Sequence, residues 1–144
     1  MPLIYRSMTV DGGKPKVGNT ARSLGVRIPP DSHPDIEVDV EGNVHPRTGG
    51  MSVARNWRDL ETHRIPRRLQ DKVRDAVGSN RDACWGMGEG AFVTDTVADG
   101  LVLTPDNPSS SATHGVVEPD STMSLHTFQE NLVKTRDQWV IDED

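Results

Sequence analysis

Apolar side chains come in short bursts separated by breakers, and most bursts are too short for anything but a strand. Leu3-Ile4-Tyr5 reads as a strand that runs directly into Arg6. Ile36-Glu37-Val38-Asp39-Val40 alternates with period two, which predicts a half-buried strand with Ile36, Val38 and Val40 inward. Gly42-Asn43 then turns the chain before Val44. Three further strands are predicted over residues 91–95, 101–104 and 113–118, with Asn107-Pro108-Ser109-Ser110-Ser111 as a flexible loop between the last two.

Helical spacing is rarer. Residues 54–61 predict a short helix with Trp57 and Leu60 as its apolar contacts. Ile65-Pro66 opens a second, whose Leu69, Val73, Ala76 and Val77 share a face and whose left-handed stop is Gly78. A final helix is predicted over residues 123–138. Leu125, Phe128, Leu132 and Val133 lie on one side of it, with Ser121, Thr122 or Ser124 as cap. Residues 11–34 hold four glycines and four prolines and predict a long irregular loop, of the kind that usually carries function. Residues 142–144 predict a frayed acidic tail. Short strands that do not alternate regularly with about three helices make an α+β class, and 144 residues suit a single compact domain.

Composition narrows the picture. Val, Leu, Ile and Phe number 31 of 144, so the core is thin and a bound partner would help stabilise it. One cysteine, Cys84, excludes an internal disulfide or a Cys-rich zinc site, and beside Trp85 it reads as a small buried residue. No apolar run is long enough for a membrane helix and no leader precedes Leu3, so a cytoplasmic, reducing setting is expected. The net charge of −6 is unevenly spread. Residues 45–81 carry nine basic against four acidic groups, whereas residues 91–144 carry two against ten. A cationic side suits a small anionic ligand, and the anionic region suits a basic partner. A single Tyr and two Phe leave too few stacking platforms for single-stranded nucleic acid.

Three segments could carry chemistry. Arg6, at the end of an apolar strand, is costly to bury without an anion or carboxylate, and its planar fork suits phosphate; it could equally face water or pair with a structural acid. Gly49-Gly50-Met51-Ser52 lets the backbone approach a ligand, offers free amides and a hydroxyl, and precedes a predicted helix N-terminus; it could also be a plain turn with Ser52 as cap. His114 and Glu118, four apart on one strand, share a face and could donate to a ligand, orient a ribose hydroxyl or act as a base, or simply decorate a surface strand. His63-Arg64 is a weaker candidate for an anion contact.

Taken in order, Ile4-Tyr5-Arg6, then Val44-His45-Pro46-Arg47-Thr48-Gly49-Gly50-Met51-Ser52-Val53, then Thr113-His114-Gly115-Val116-Val117-Glu118-Pro119 and a helix ending near Gln138-Trp139 resemble a known family. It comprises small, quiescence-inducing bacterial toxins delivered by type VI secretion. They have an ADP-ribosyltransferase-like fold and are neutralised by a cognate immunity protein. The family shows an early Tyr-Arg, a Thr-Gly-Gly-Thr-Ser-Val segment and a His-x-x-Ile-x-Pro strand. This chain departs from it at Met51, where the family has Thr, and at Glu118, where it has an apolar residue.

The resemblance implies a split β-sheet cleft that holds NAD as substrate. Tyr5, Arg6, Gly49, Gly50, Met51 and His63 would bind the dinucleotide, while Ser52, His114 and Glu118 would serve the chemistry. The leading expectation is an ADP-ribosyltransferase-type toxin acting on an intracellular target. A non-catalytic ligand- or protein-binding module on the same fold, and an RNA-directed transferase or nuclease using the basic 45–81 stretch, are the alternatives.

Overall fold

The computed structural model describes residues 1–106 and 112–144, so the predicted loop over Asn107-Pro108-Ser109-Ser110-Ser111 lies outside the described residues. The chain forms a curled antiparallel sheet. β1 (Ile4–Asp11) and β2 (Lys14–Pro15) make a hairpin around Gly12-Gly13, both at positive φ, as a two-residue hairpin loop requires. β3 (Asn43–Val44), β4 (Met51–Ala54), β5 (Asp82–Met87), β6 (Asp95–Ala98), β7 (Leu101–Pro105), β8 (His114–Pro119), β9 (Met123–Ser124) and β10 (Val140–Ile141) come after them. The large sheet runs β10-β5-β1-β4-β8-β7-β6, with β2 paired to β1, while β3 and β9 form a separate pair.

Side chains alternating across β1 feed two cores. Ile4 and Met8 join Trp85, Leu103, Val117, Phe128 and Trp139 in the larger one. Tyr5, on the opposite face, joins Trp57, Ile65, Leu69, Ala76 and Cys84 in the smaller. β5 carries no alternating pattern because all six of its residues are buried, and it pairs with β1 over six positions. It is not among the strands expected from the sequence.

Several expected elements differ. One α-helix is present among the described residues, α1 (Leu125–Lys134), instead of about three. Ser124 caps it by accepting from the Thr127 amide at 3.0 Å, and Phe128 and Leu132 are buried, although Val133 is 37% exposed. The expected helix after Pro66 is reduced to a 3-10 turn over Arg67–Leu69. The Gly78 amide donates to Ile65 carbonyl at 2.8 Å and the Arg67 amide to Gly78 carbonyl at 3.0 Å, which closes the segment into a loop. Leu69 and Ala76 are still buried, Val77 is not, and Gly78 is not left-handed. Residues 54–61 hold only a 3-10 turn, Trp57–Asp59, capped by Asn56, because Met51–Ala54 is strand.

The alternating segment 36–40 is no strand: Ile36 bridges Gly49 and is buried, but Val40 is fully exposed. The strand expected over 91–95 begins only at Asp95. Residues 11–34 are mostly irregular, yet they deliver Leu24 and Val26 to the larger core.

The acidic tail is tied down, not frayed. Asp142 accepts from Tyr5 Oη at 2.5 Å, and Glu143 from both terminal nitrogens of Arg68 at 2.9 Å. Asp144 carbonyl takes Trp57 Nε1 at 3.1 Å and Arg58 at 2.8 Å. Among the described residues no helix is long and apolar enough to cross a membrane.

Candidate active site

β1 and β4 pair at one position only, Tyr5 with Ala54. Beyond it the two strands separate, and a side chain occupies the gap where ladder hydrogen bonds would otherwise run. Arg6 Nη1 donates to Ser52 carbonyl at 2.7 Å, Nε to Ser23 carbonyl at 3.0 Å, and Nη2 to the Thr20 and Gly25 carbonyls at 3.4 Å. The guanidinium is thereby satisfied by four main-chain acceptors, which is what lets it sit only 6% exposed. Burial pulls its pKa down to about 10, the Asp35 carboxylate opposing this while Arg64 and Arg27 add to it. It remains charged at neutral pH.

The separation opens a pocket of about 130 Å³ lined by Arg6, Ser7, Ala21, Arg27, Asp35, Ser52, Val53, Leu60, Glu61, Arg64 and His114. A cavity of ~150 Å³ accepts a benzene ring, so this one is sized for a single ring and not for a whole dinucleotide. Three guanidinium groups face two carboxylates across it. Arg27 and Asp35 form a two-pronged pair, 2.8 Å and 3.2 Å, which fastens the returning loop. Arg64 forms no salt bridge among the described residues; Ser7 Oγ donates to its carbonyl at 2.6 Å, and its own Nη1 only grazes Ala21 carbonyl at 3.3 Å.

Of the residues singled out from the sequence, Arg6, Ser52 and His114 meet at this pocket. Register explains the last two. β4 and β8 pair Ser52 with Val116, so His114 and Glu118 flank Ser52 diagonally on the same face. His114 is exposed, with Nδ1 2.9 Å from Thr113 Oγ1, which leaves Nε2 as the nitrogen to offer a ligand. Glu118, on the far side of Ser52, is 5% exposed and does not line the pocket.

The others lie elsewhere. Tyr5 shares the face of Ser52 and His114 but packs in the smaller core outside the pocket, Met51 is buried in the larger core, and His63 sits outside, 3.2 Å from Glu61. Gly49 and Gly50 form no anion-binding concavity with a helix behind it. The Gly50 amide donates to Asp35 carbonyl at 2.9 Å, and the chain continues directly into β4. Gly50 is required for a different reason: a Cβ there would land on the Val117 carbonyl oxygen of the neighbouring strand.

Sequence reasoning missed Arg27, Asp35 and Glu61 and gave Arg64 little weight. The one signal present was an Arg and an Asp next to apolar Val26 and Ile36, on either side of a proline-rich turn. Opposite charges in that setting return together when their apolar neighbours bury.

No curated protein matches the chain. A family model, that of the Tse2 ADP-ribosyltransferase toxin, matches residues 4–139. That is nearly the whole chain, including all three segments that meet at the pocket, and the chain belongs to this family.

Proposed function

We propose that this Tse2-family toxin uses NAD, breaking the nicotinamide–ribose bond and passing the ADP-ribosyl group to an intracellular target, and that a cognate immunity protein neutralises it. Type VI delivery and action in the cytoplasm of the receiving or producing cell belong to the same reading. The single observation that carries it is the meeting of Arg6, Ser52 and His114 at one ring-sized pocket in the opened sheet. The nicotinamide ring is the part of NAD that fits the space, with ribose and diphosphate at the mouth.

The chemistry asks for positioning more than for covalent help. As the N-glycosidic bond breaks, its electron pair leaves with nicotinamide and positive charge gathers on the ribose carbon and ring oxygen. A nucleophile from the target then adds there and gives up its proton. Ser52 hydroxyl and His114 Nε2 hold the nicotinamide amide or a ribose hydroxyl. Glu118, four residues on along the same face of β8, backs Ser52 from outside the pocket, and Glu61 supplies negative charge at the pocket wall, where Asp35 is held by Arg27. Arg6 keeps the strands apart and the floor of the pocket positive. Of the remaining family-implied positions, Tyr5, Gly49, Gly50 and Met51 contribute by shaping this framework, and His63 stays outside it beside Glu61.

The test is titration calorimetry with NAD together with a nicotinamide-release assay. Binding heat and release that fall about a hundredfold in Ser52→Ala and His114→Ala are expected; neither heat nor release in the unaltered protein overturns the reading.

The saturation of Arg6 by carbonyls favours a second reading, a pocket that binds a ligand or partner without cleaving it. Growth arrest on expression that persists in a Ser52→Ala, His114→Ala double variant would select it.

A further inference from the structure

Three guanidinium groups line the pocket, and two of them are already used. Arg6 is spent on four carbonyls, and Arg27 is locked in a two-pronged pair with Asp35. Arg64 is different. Its backbone is fixed, because Ser7 Oγ donates to its carbonyl at 2.6 Å from the buried middle of β1. Its side chain is half-buried at the pocket and forms no ion pair among the described residues, with one 3.3 Å contact to a neutral carbonyl. A partly desolvated guanidinium on a fixed stem, without a carboxylate, is an anion receptor whose own fold does not fill it.

We propose that Arg64, and not Arg6, is the residue that binds the anionic diphosphate of the dinucleotide. This rests on the reading of the pocket as the NAD site. If the ring enters the 130 Å³ space, the diphosphate remains at the mouth, where a group already saturated by main-chain carbonyls cannot turn to meet it. Arg64 can do so by giving up a single weak contact. The same positive charge adds to the depression of the Arg6 pKa, so an anion bound at Arg64 also relieves the repulsion between the two guanidiniums.

The test is calorimetry and ligand-observed NMR on the full chain with three probes: NAD, ADP-ribose and nicotinamide alone. Arg64→Gln is expected to weaken ADP-ribose at least tenfold while leaving nicotinamide within twofold, and Arg64→Lys to recover part of the loss. Added salt should weaken ADP-ribose binding in the unaltered protein and do so less in Arg64→Gln. The variant keeps the Ser7 contact, which is made to the backbone, so its urea midpoint should match the parent. Equal affinity for ADP-ribose in parent and variant overturns the assignment of Arg64 while leaving the pocket reading standing, as does equal weakening of all three probes. If the parent binds none of the three, the pocket reading itself fails and the assignment falls with it.

Discussion

Tyr5 and Arg6 are neighbours on β1, point to opposite faces of the sheet and are both buried, but the spaces beyond them are closed in different ways. Beyond Tyr5 the chain fills the gap itself. The tail lays Asp142 on the phenol, Glu143 on Arg68 and the Cys84 amide, and Asp144 carbonyl on Trp57 and Arg58. Beyond Arg6 the gap is satisfied in hydrogen bonds but not in volume. Four carbonyls quench the guanidinium, and an open pocket remains beside it. Neighbouring positions of one strand thus border a space finished with the protein's own carboxylates and a space left for a ligand. Electrostatic satisfaction and steric filling are separate conditions, and a binding site arises where only the first is met.

The contrast between the two sides is tested most severely at Arg6. Arg6→Met removes the donor to four main-chain carbonyls, of which, among the described residues, Thr20 alone keeps the Ser23 amide and hydroxyl, and should lower stability by roughly 3–5 kcal/mol, read from the urea midpoint. Against a total of ~5–15 kcal/mol that is enough to leave much of the chain unfolded, so loss of activity in this variant alone says nothing about ligand contact. On the tail side, Glu143→Ala removes the fork to Arg68 and the acceptor for the Cys84 amide. It should cost only about 1–2 kcal/mol, since Arg68 is 38% exposed and partly screened. Hydrogen exchange of β10 should accelerate in that variant while β4 and β8 stay protected.

The tail side also carries a pH signature of its own. Burial, then the charge of Glu143, pushes the Cys84 thiol up to about 12. The native thiol therefore keeps its proton where the unfolded chain, with an ordinary value near 8.5, has released it. Stability from this group is whole below about pH 8.5 and is lost by about 1.4 kcal/mol per unit as the pH climbs toward 12. Thermal melts at pH 7.5 and 9.5 check it, and Cys84 should stay unreactive to alkylation at pH 8. The smallest effect is Tyr5→Phe, which gives up one hydrogen bond to Asp142 for about 1 kcal/mol and should leave ligand binding in the pocket untouched, as calorimetry with NAD would show.

Much of this architecture was legible wherever local pattern and tertiary demand agreed. β7 and β8 stand where their short apolar runs placed them, and α1 obeys its cap and apolar face. Legibility failed where burial came from both sides or from a distance. All of β5 is buried, so no alternation marked it, and the apolar residues after Pro66 are packed by a closed loop instead of a helix. At the site, Arg6, Ser52 and His114 were readable from their segments. Arg27, Asp35 and Glu61 were not, because their importance comes from a loop that folds back between elements distant in sequence.

Short stretches of chain were enough to specify the strand carrying Arg6, the strand carrying His114 with Glu118 on the same face, the helix that closes the larger core, and the small buried character of Cys84. Those properties come from side-chain period, capping and composition, which act over a few residues. Three others needed the assembled fold: that β1 and β4 part after a single pair, that Arg6 is spent on main-chain carbonyls while Arg64 is not, and that the acidic tail is a clasp. Each depends on which backbone groups are left without partners once the sheet is assembled, and that is a property of the whole chain packed together and of no segment alone.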